Sequence, residues 1–244
     1  MTVITDRTVL ITGANRGLGR ALVEEALARG AKRVYAGTRQ ALTHPDERVT
    51  PLILDLTDAA QIQAAVEQIA SLDVLINNAG VAIPGGLEDR AALEQHLAVN
   101  LFGVYDLTHA VAPLLIRSRG AIVNISSLSA LAPVPITPAY SVSKAAAFSL
   151  SQTLRMVLAD RGVTVHSVLP GPIDTDMVRG WDIPKADPES VARAVFDGMA
   201  NAEDEIFPDP MSAALAESWR GGAAKELEKQ NATLLQPASA SASA

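Results

Sequence analysis

The stretch Thr8-Val9-Leu10-Ile11-Thr12-Gly13-Ala14-Asn15-Arg16-Gly17-Leu18-Gly19 decides the fold. An apolar, β-branched run at 8–12 passes directly into a turn holding three glycines, and a helical pattern starts at 17. Glycines allow a tight turn and let backbone N–H groups approach an anion at the positive end of the helix that follows. A glycine-rich turn without a ligand is the competing reading. Its place after the first strand of a strand–helix series favours a dinucleotide site.

Beyond this turn the same alternation continues. Further strands are predicted at 33–37, 51–55, 73–77, 121–126 and 163–169, with a short seventh at 205–207. The runs are continuously apolar, as expected where helices cover both faces of a parallel sheet. Helices are predicted at 17–29, 58–70, 91–117, 139–160, 188–200 and 211–230. In the second of these, Ile62, Val66 and Ile69 share one face, and Asp58 is placed to cap it. The expected fold is α/β: a Rossmann-type, doubly wound parallel sheet of about seven strands with helices on both faces, a three-layer sandwich. Residues 1–235 are expected to form a single dinucleotide-binding and catalytic domain, and the low-complexity end at 236–244 a disordered tail.

A net charge of −7 argues against nucleic acid as a partner, because phosphate backbones require a basic surface. There is no cysteine, which excludes disulfides and thiolate ligands. His44, His96, His109 and His166 show no ligand spacing, so no metal site is expected and packing or surface roles are assigned to them. The N-terminus resembles neither a signal peptide nor a membrane span, so no membrane partner and a cytoplasmic location are expected.

The spacing of Gly13, Gly17 and Gly19 is not the usual G-x-G-x-x-G; the T-G-x-x-x-G-x-G form resembles the short-chain dehydrogenase/reductase family. Further motifs extend the resemblance from about 8 to 175. They are Asn77-Asn78-Ala79-Gly80 after the fourth strand, Asn100 in Val99-Asn100-Leu101-Phe102-Gly103, Ser127, Tyr140-Ser141-Val142-Ser143-Lys144, and Pro170-Gly171-Pro172-Ile173-Asp174-Thr175.

The resemblance implies a cofactor site built from Gly13, Asn15, Arg16, Gly17, Leu18, Gly19, Thr38, Arg39, Asp55, Leu56, Asn78, Ala79, Gly80, Tyr140, Lys144, Pro170, Gly171, Ile173 and Thr175. Asp55, read as ending the third strand, matches the family's adenine-contacting acid; a carboxylate at a helix start is its other reading. At the end of the second strand, Tyr35-Ala36-Gly37-Thr38-Arg39 lacks the acid that would bind the 2′-hydroxyl of NAD. Arg16 and Arg39 would instead offer paired donors to a 2′-phosphate, which selects NADP(H) over NAD(H).

Tyr140 and Lys144 stand at i and i+4, one helical turn apart. An ammonium there favours the phenolate and should lower a phenol pKa that ordinarily lies near 10. By resemblance, Ser127 orients the carbonyl, Tyr140 exchanges its proton, and Lys144 tunes Tyr140 and holds the nicotinamide ribose. Asn100 would bend its helix and position a relay water. Substrate is expected against Ser127, Leu128, Val134, Tyr140, Met177 and Trp181, with Pro133 and Ile136 nearby and Arg179 as the nearest candidate anion binder.

The implied activity is NADP(H)-dependent interconversion of an uncharged, hydrophobic ketone or aldehyde and its alcohol, of carbonyl reductase or alcohol dehydrogenase type. A non-enzymatic NADP(H) sensor and a lyase or epimerase on the same fold are the alternatives. The end lacks the Gly-rich final strand of many tetrameric members, so a homodimer through the helices at 91–117 and 139–160 is expected rather than a tetramer.

Overall fold

The computed structural model describes residues 4–235, so the tail predicted at 236–244 lies outside the described residues. Its chain order is β1 (Thr8–Thr12), α1 (Gly17–Ala28), β2 (Arg33–Thr38), β3 (Val49–Ile53), α2 (Ala59–Glu67), β4 (Val74–Asn77), α3 (Arg90–Leu97), a π-helical segment (Ala98–Gly103), α4 (Val104–Ser118), β5 (Ala121–Ile125), α5 (Pro138–Leu158), β6 (Thr164–Val168), α6 (Pro188–Ala200), β7 (Glu205–Ile206), α7 (Pro210–Arg220) and α8 (Ala223–Ala232).

The seven strands form one sheet in the order β3-β2-β1-β4-β5-β6-β7, every neighbouring pair parallel. The doubly wound α/β fold is therefore as expected. Its central strands are largely apolar because two separate cores press on them. On one face Val9, Ile11, Val34 and Ile76 pack with Leu22, Ala26, Val195 and Phe196 of α1 and α6. On the other, Leu10, Leu75 and Ile122 pack with Ile62, Leu107, Val111 and Leu115 of α2 and α4. The stretch Arg90–Ser118 is long and apolar enough to cross a membrane by composition, but these α4 residues are apolar because they fill that second core.

Most boundaries fall within three residues of the sequence reading, and four differences bear on the site or the fold. β3 starts two residues earlier and ends at Ile53, so Asp55 lies beyond it; Pro51 is tolerated because β3 is an edge strand. β5 ends at Ile125, so Ser127 stands outside the strand, at the start of a short 3₁₀ turn. The helix predicted at 91–117 is interrupted by the π-helical segment around Asn100. The helix predicted at 211–230 is two helices, broken at Gly221-Gly222, where α7 terminates. The strand order reverses between β1 and β4, and β1, β4, β5 and β6 all end at the crevice this reversal opens.

Candidate active site

The glycine turn is closed against the start of α1. Gly13 has φ +66°, a left-handed conformation costly for other residues. A Cβ on Gly19 would lie 2.0 Å from the Gly13 carbonyl oxygen, which no side chain survives. Thr12, absent from the sequence-derived site, braces this turn. Its Oγ1 accepts the N–H groups of Asn78 and Ala79 at 3.0 and 2.9 Å. The Asn78 amide donates back to the Thr12 carbonyl at 2.8 Å, so its side chain is spent on the turn. Asn77 turns inward instead, donating to Asn124 Oδ1 and Thr108 Oγ1 at 2.8 and 3.1 Å.

α2, α3, α6 and α7 each start beneath an aspartate that accepts their first N–H groups: Asp58, Asp89, Asp187 and Asp209. The cap predicted for Asp58 is thus observed. α1, like α5 and α8, starts with no side-chain cap, and it alone of the three opens directly behind the glycine turn; its first turn holds no acidic residue. An uncapped helix start behind a turn this tight fits a pyrophosphate, which would accept those N–H groups directly. Leu18 and Gly19 are buried there, whereas Asn15 is exposed.

At the ribose end Arg16 and Arg39 have different acidic neighbours. Arg16 Nη1 is 2.6 Å from Asp176 Oδ2, across the crevice, and Asp176 also holds Arg179. Arg179 is largely exposed, and this surface pair holds it only weakly. Arg39 is exposed at the end of β2, near enough to Asp55 to help hold that carboxyl below its usual range. The larger causes are the Thr57 N–H and hydroxyl, which Asp55 Oδ1 accepts at 2.9 and 2.7 Å. Asp55 thus shapes the turn before α2, and neighbouring Leu56 is buried against Gly103. The Thr38 hydroxyl donates to the Gln40 carbonyl.

The other half of the site lies at the ends of β4, β5 and β6. Ser127 Oγ accepts the Ser129 N–H at 3.1 Å, which leaves its own proton for donation. Tyr140 and Lys144 rise from the first turns of α5, with Lys144 Nζ 5.7 Å from the Tyr140 ring centroid. Lys144 is buried and donates to the Ile125 carbonyl at 2.8 Å. A Cβ on Gly80 would lie 3.6 Å from that Nζ, and one on Gly13 would lie 3.0 Å from Ala79 Cα. The loop 78–80 thus joins the lysine to the glycine turn.

Asn100 is buried in the π-helical segment. It accepts the Val81 N–H at 2.9 Å and donates to the Val81 carbonyl at 3.0 Å and to Ser143 Oγ at 2.9 Å. Its side chain clamps the 78–81 loop to α5. His96, read from sequence as packing or surface, is fully buried with its ring edge-on to Tyr140 at 6.2 Å, and its Nε2 accepts the Ile83 N–H. No sequence signal marked that contact, since it joins α3 to α5.

One electrostatic expectation is corrected. Tyr140 is half-buried, and burial pushes its phenol up to about 12, opposed by a hydrogen bond from Ser127. The lowering expected from Lys144 is not expressed. Burial brings Lys144 itself down to about 8, because an enclosed ammonium loses its hydration.

The 170–187 segment closes the crevice. Pro170 accepts the Leu128 N–H at 3.0 Å, Ile173 bridges to Ala186, and Thr175 packs against Gly17. A cavity of about 350 Å³ lies beneath it, lined by Arg16, Gly17, Thr175, Asp176, Arg179 and Lys185. Val134, Ile136, Met177 and Trp181 are exposed apolar residues, while Leu128 is half-buried. Met211 of α7, absent from the sequence-derived set, is also exposed and touches the position of Gly171.

A family model described as short chain dehydrogenase matches residues 7–185. A 3-oxoacyl-(acyl-carrier-protein) reductase from Synechocystis is 36% identical over 195 residues, covering 72% of this chain and 78% of that protein. An uncharacterized oxidoreductase from Staphylococcus aureus is 32% identical, covering 80% and 92%. A crystal structure of a short chain dehydrogenase from Burkholderia cenocepacia in complex with NADP superposes with a TM-score of 0.86 at 36% identity, over 97% of this chain and 100% of that one.

Proposed function

Since the chain belongs to the short chain dehydrogenase family and is an oxidoreductase, we propose that it uses NADP(H) to interconvert a hydrophobic ketone or aldehyde and its alcohol. The reading is carried by Ser127, Tyr140 and Lys144 meeting at the strand ends, joined through the loop 78–80 to the uncapped start of α1. The α1 N–H groups and the glycine turn would hold the pyrophosphate, Arg39 the 2′-phosphate, and Lys144 with the 170–175 loop the nicotinamide half. The bound cofactor supplies the hydride. Ser127 donates a hydrogen bond to the substrate oxygen, and Tyr140 delivers the proton that makes the alcohol. A phenol raised to about 12 stays protonated at neutral pH, which suits it as the acid of a reduction. The exposed apolar residues Val134, Ile136, Met177 and Trp181 favour an uncharged substrate. Phe102, Tyr105 and Val142, apolar yet exposed, support association of two copies through the π segment, α4 and α5.

The direct test is NADPH oxidation, followed by absorbance, over aldehydes, cyclic and aryl ketones, diketones and steroids. Loss of absorbance in step with carbonyl consumed is the expected result; no turnover with any member overturns the reading. Lys144 carries its charge below about 8 and loses it above. The reduction rate should therefore fall as pH rises through that value, and a flat profile from pH 7 to 9.5 would contradict a charged Lys144 requirement. Arg39→Asp should weaken NADPH binding roughly a hundredfold, since a charge-assisted donor is replaced by a repelling carboxylate, and should leave NADH binding nearly unchanged. Titration calorimetry with both nucleotides checks it, and equal losses would remove Arg39 from the phosphate site.

A further inference from the structure

Asp209 does more than cap α7. It is 6% exposed, and its two carboxylate oxygens serve different elements. Oδ1 accepts the N–H groups of Met211 and Ser212, each at 3.0 Å, which is the helix cap. Oδ2 accepts the Ser212 hydroxyl and the backbone N–H of Gly171, each at 2.8 Å. Asp58, Asp89 and Asp187 cap α2, α3 and α6, and the hydrogen bonds they accept all come from their own helix starts. Among the four capping aspartates, only Asp209 reaches a distant element.

The element it reaches has one donor to offer. Pro170 and Pro172 have no N–H, so the Gly171 N–H is the triplet's sole backbone donor. The two proline carbonyls are held elsewhere: Pro170 by the Leu128 N–H, beside Ser127, and Pro172 by the Ala186 N–H at 2.8 Å. α7 presses against the same point, since a Cβ on Gly171 would lie 3.1 Å from both Asp209 Oδ1 and Met211 Sδ.

We propose that Asp209 is a positioning residue that fixes the 170–175 loop, and so the nicotinamide face, relative to Ser127 and Tyr140. It acts through Gly171 and touches neither substrate nor cofactor. This rests on the functional reading above, in which that loop flanks the nicotinamide. α7 is thereby coupled to the reaction geometry, although it lies outside residues 7–185 matched by the family model.

Asp209→Asn separates cap from tether. Asn caps helices about as well as Asp, and its remaining oxygen can occupy the Oδ1 position. Its amide nitrogen would then face the Gly171 N–H, donor against donor. The full chain is examined by hydrogen exchange of the 169–175 peptide with and without NADPH, by thermal unfolding, and by reduction with NADPH deuterated on either C4 face. Expected are faster exchange of that peptide, weaker protection by NADPH, a nearly unchanged Tm, and kcat lower by about tenfold, with deuterium now transferred from both faces. A purely structural cap would move Tm alone. Exchange, protection and transfer face all matching wild type would overturn the proposal.

Gly171→Ala is the second variant, because Gly171 is outside the left-handed region and its methyl would displace the same carboxylate. It should reproduce the changes, and wild-type exchange and transfer face in it would equally overturn the tether. A wild-type protein that reduces no carbonyl yet is protected by NADPH at 169–175 would sink the functional reading alone. The same protection in Asp209→Asn would sink the positioning role.

Discussion

Tyr140→Phe is expected to lower kcat for carbonyl reduction by about a hundred- to ten-thousandfold, the usual worth of a positioned proton donor, while NADPH binds with near wild-type affinity. The phenol is held protonated by burial, with Ser127 beside it and the Lys144 ammonium 5.7 Å from its ring. Phenylalanine keeps the edge-on packing with His96 and removes only the oxygen that exchanges the proton. Structural damage is therefore small and the loss should fall on kcat rather than on KM for NADPH. Steady-state kinetics with nucleotide titration makes the measurement. Turnover above a tenth of wild type would remove Tyr140 as the acid.

Lys225→Ala is expected to destabilise the chain by about 3 kcal/mol, lowering Tm by roughly 6–12 °C. Lys225 Nζ lies 3.0 Å from Asp204, 2.8 Å from Glu205 and 3.2 Å from Glu228. Arg155 Nη1 lies 2.8 and 2.5 Å from Glu205 and Glu228. Burial works to lower the Lys225 pKa, but hydrogen bonds to Glu205 and Asp204 outweigh it and hold the amine above the usual lysine value. The Glu205 side chain is only 2% exposed, so removing the lysine leaves its charge undercompensated and dry. Adding Glu205→Gln to Lys225→Ala should restore part of the loss, because the two act as a pair. Thermal unfolding near neutral pH checks both; strictly additive losses would show the network is not coupled. The cluster ties α5 and α8 to β7, closing a sheet edge that is only two residues long.

Much of this was readable in the chain. Strands buried on both faces must be apolar throughout, and Val9-Leu10-Ile11 and Val74-Leu75-Ile76 show that plainly. Tyr140 and Lys144 share a helix, so their spacing alone brought them together. Some local signals were present but missed: Gly221-Gly222 marks the end of α7, and Asp209-Pro210 followed by Ser212 is a helix start. The π-helical segment was marked only by the resemblance, which gave Asn100 the bending of its helix; no periodicity in the chain shows it. It sits where Asn100 reaches both Val81 and Ser143, contacts that exist only once β4, α4 and α5 are packed.

By itself, then, the sequence determined the order of elements, the parallel sheet, the glycine turn and the tyrosine–lysine pair, since each is written in periodicities and spacings of a few residues. The tertiary structure alone decided where the charges and hydrogen bonds are spent. Arg16 meets Asp176, Gly171 meets Asp209, and Lys225 meets Glu205 because folding brings distant segments into contact. It also reversed the expected shift of Tyr140 and brought the Lys144 amine down. Charge spacing along a helix can be read from the chain, but the loss of hydration that dominates both groups depends on every element packed around them.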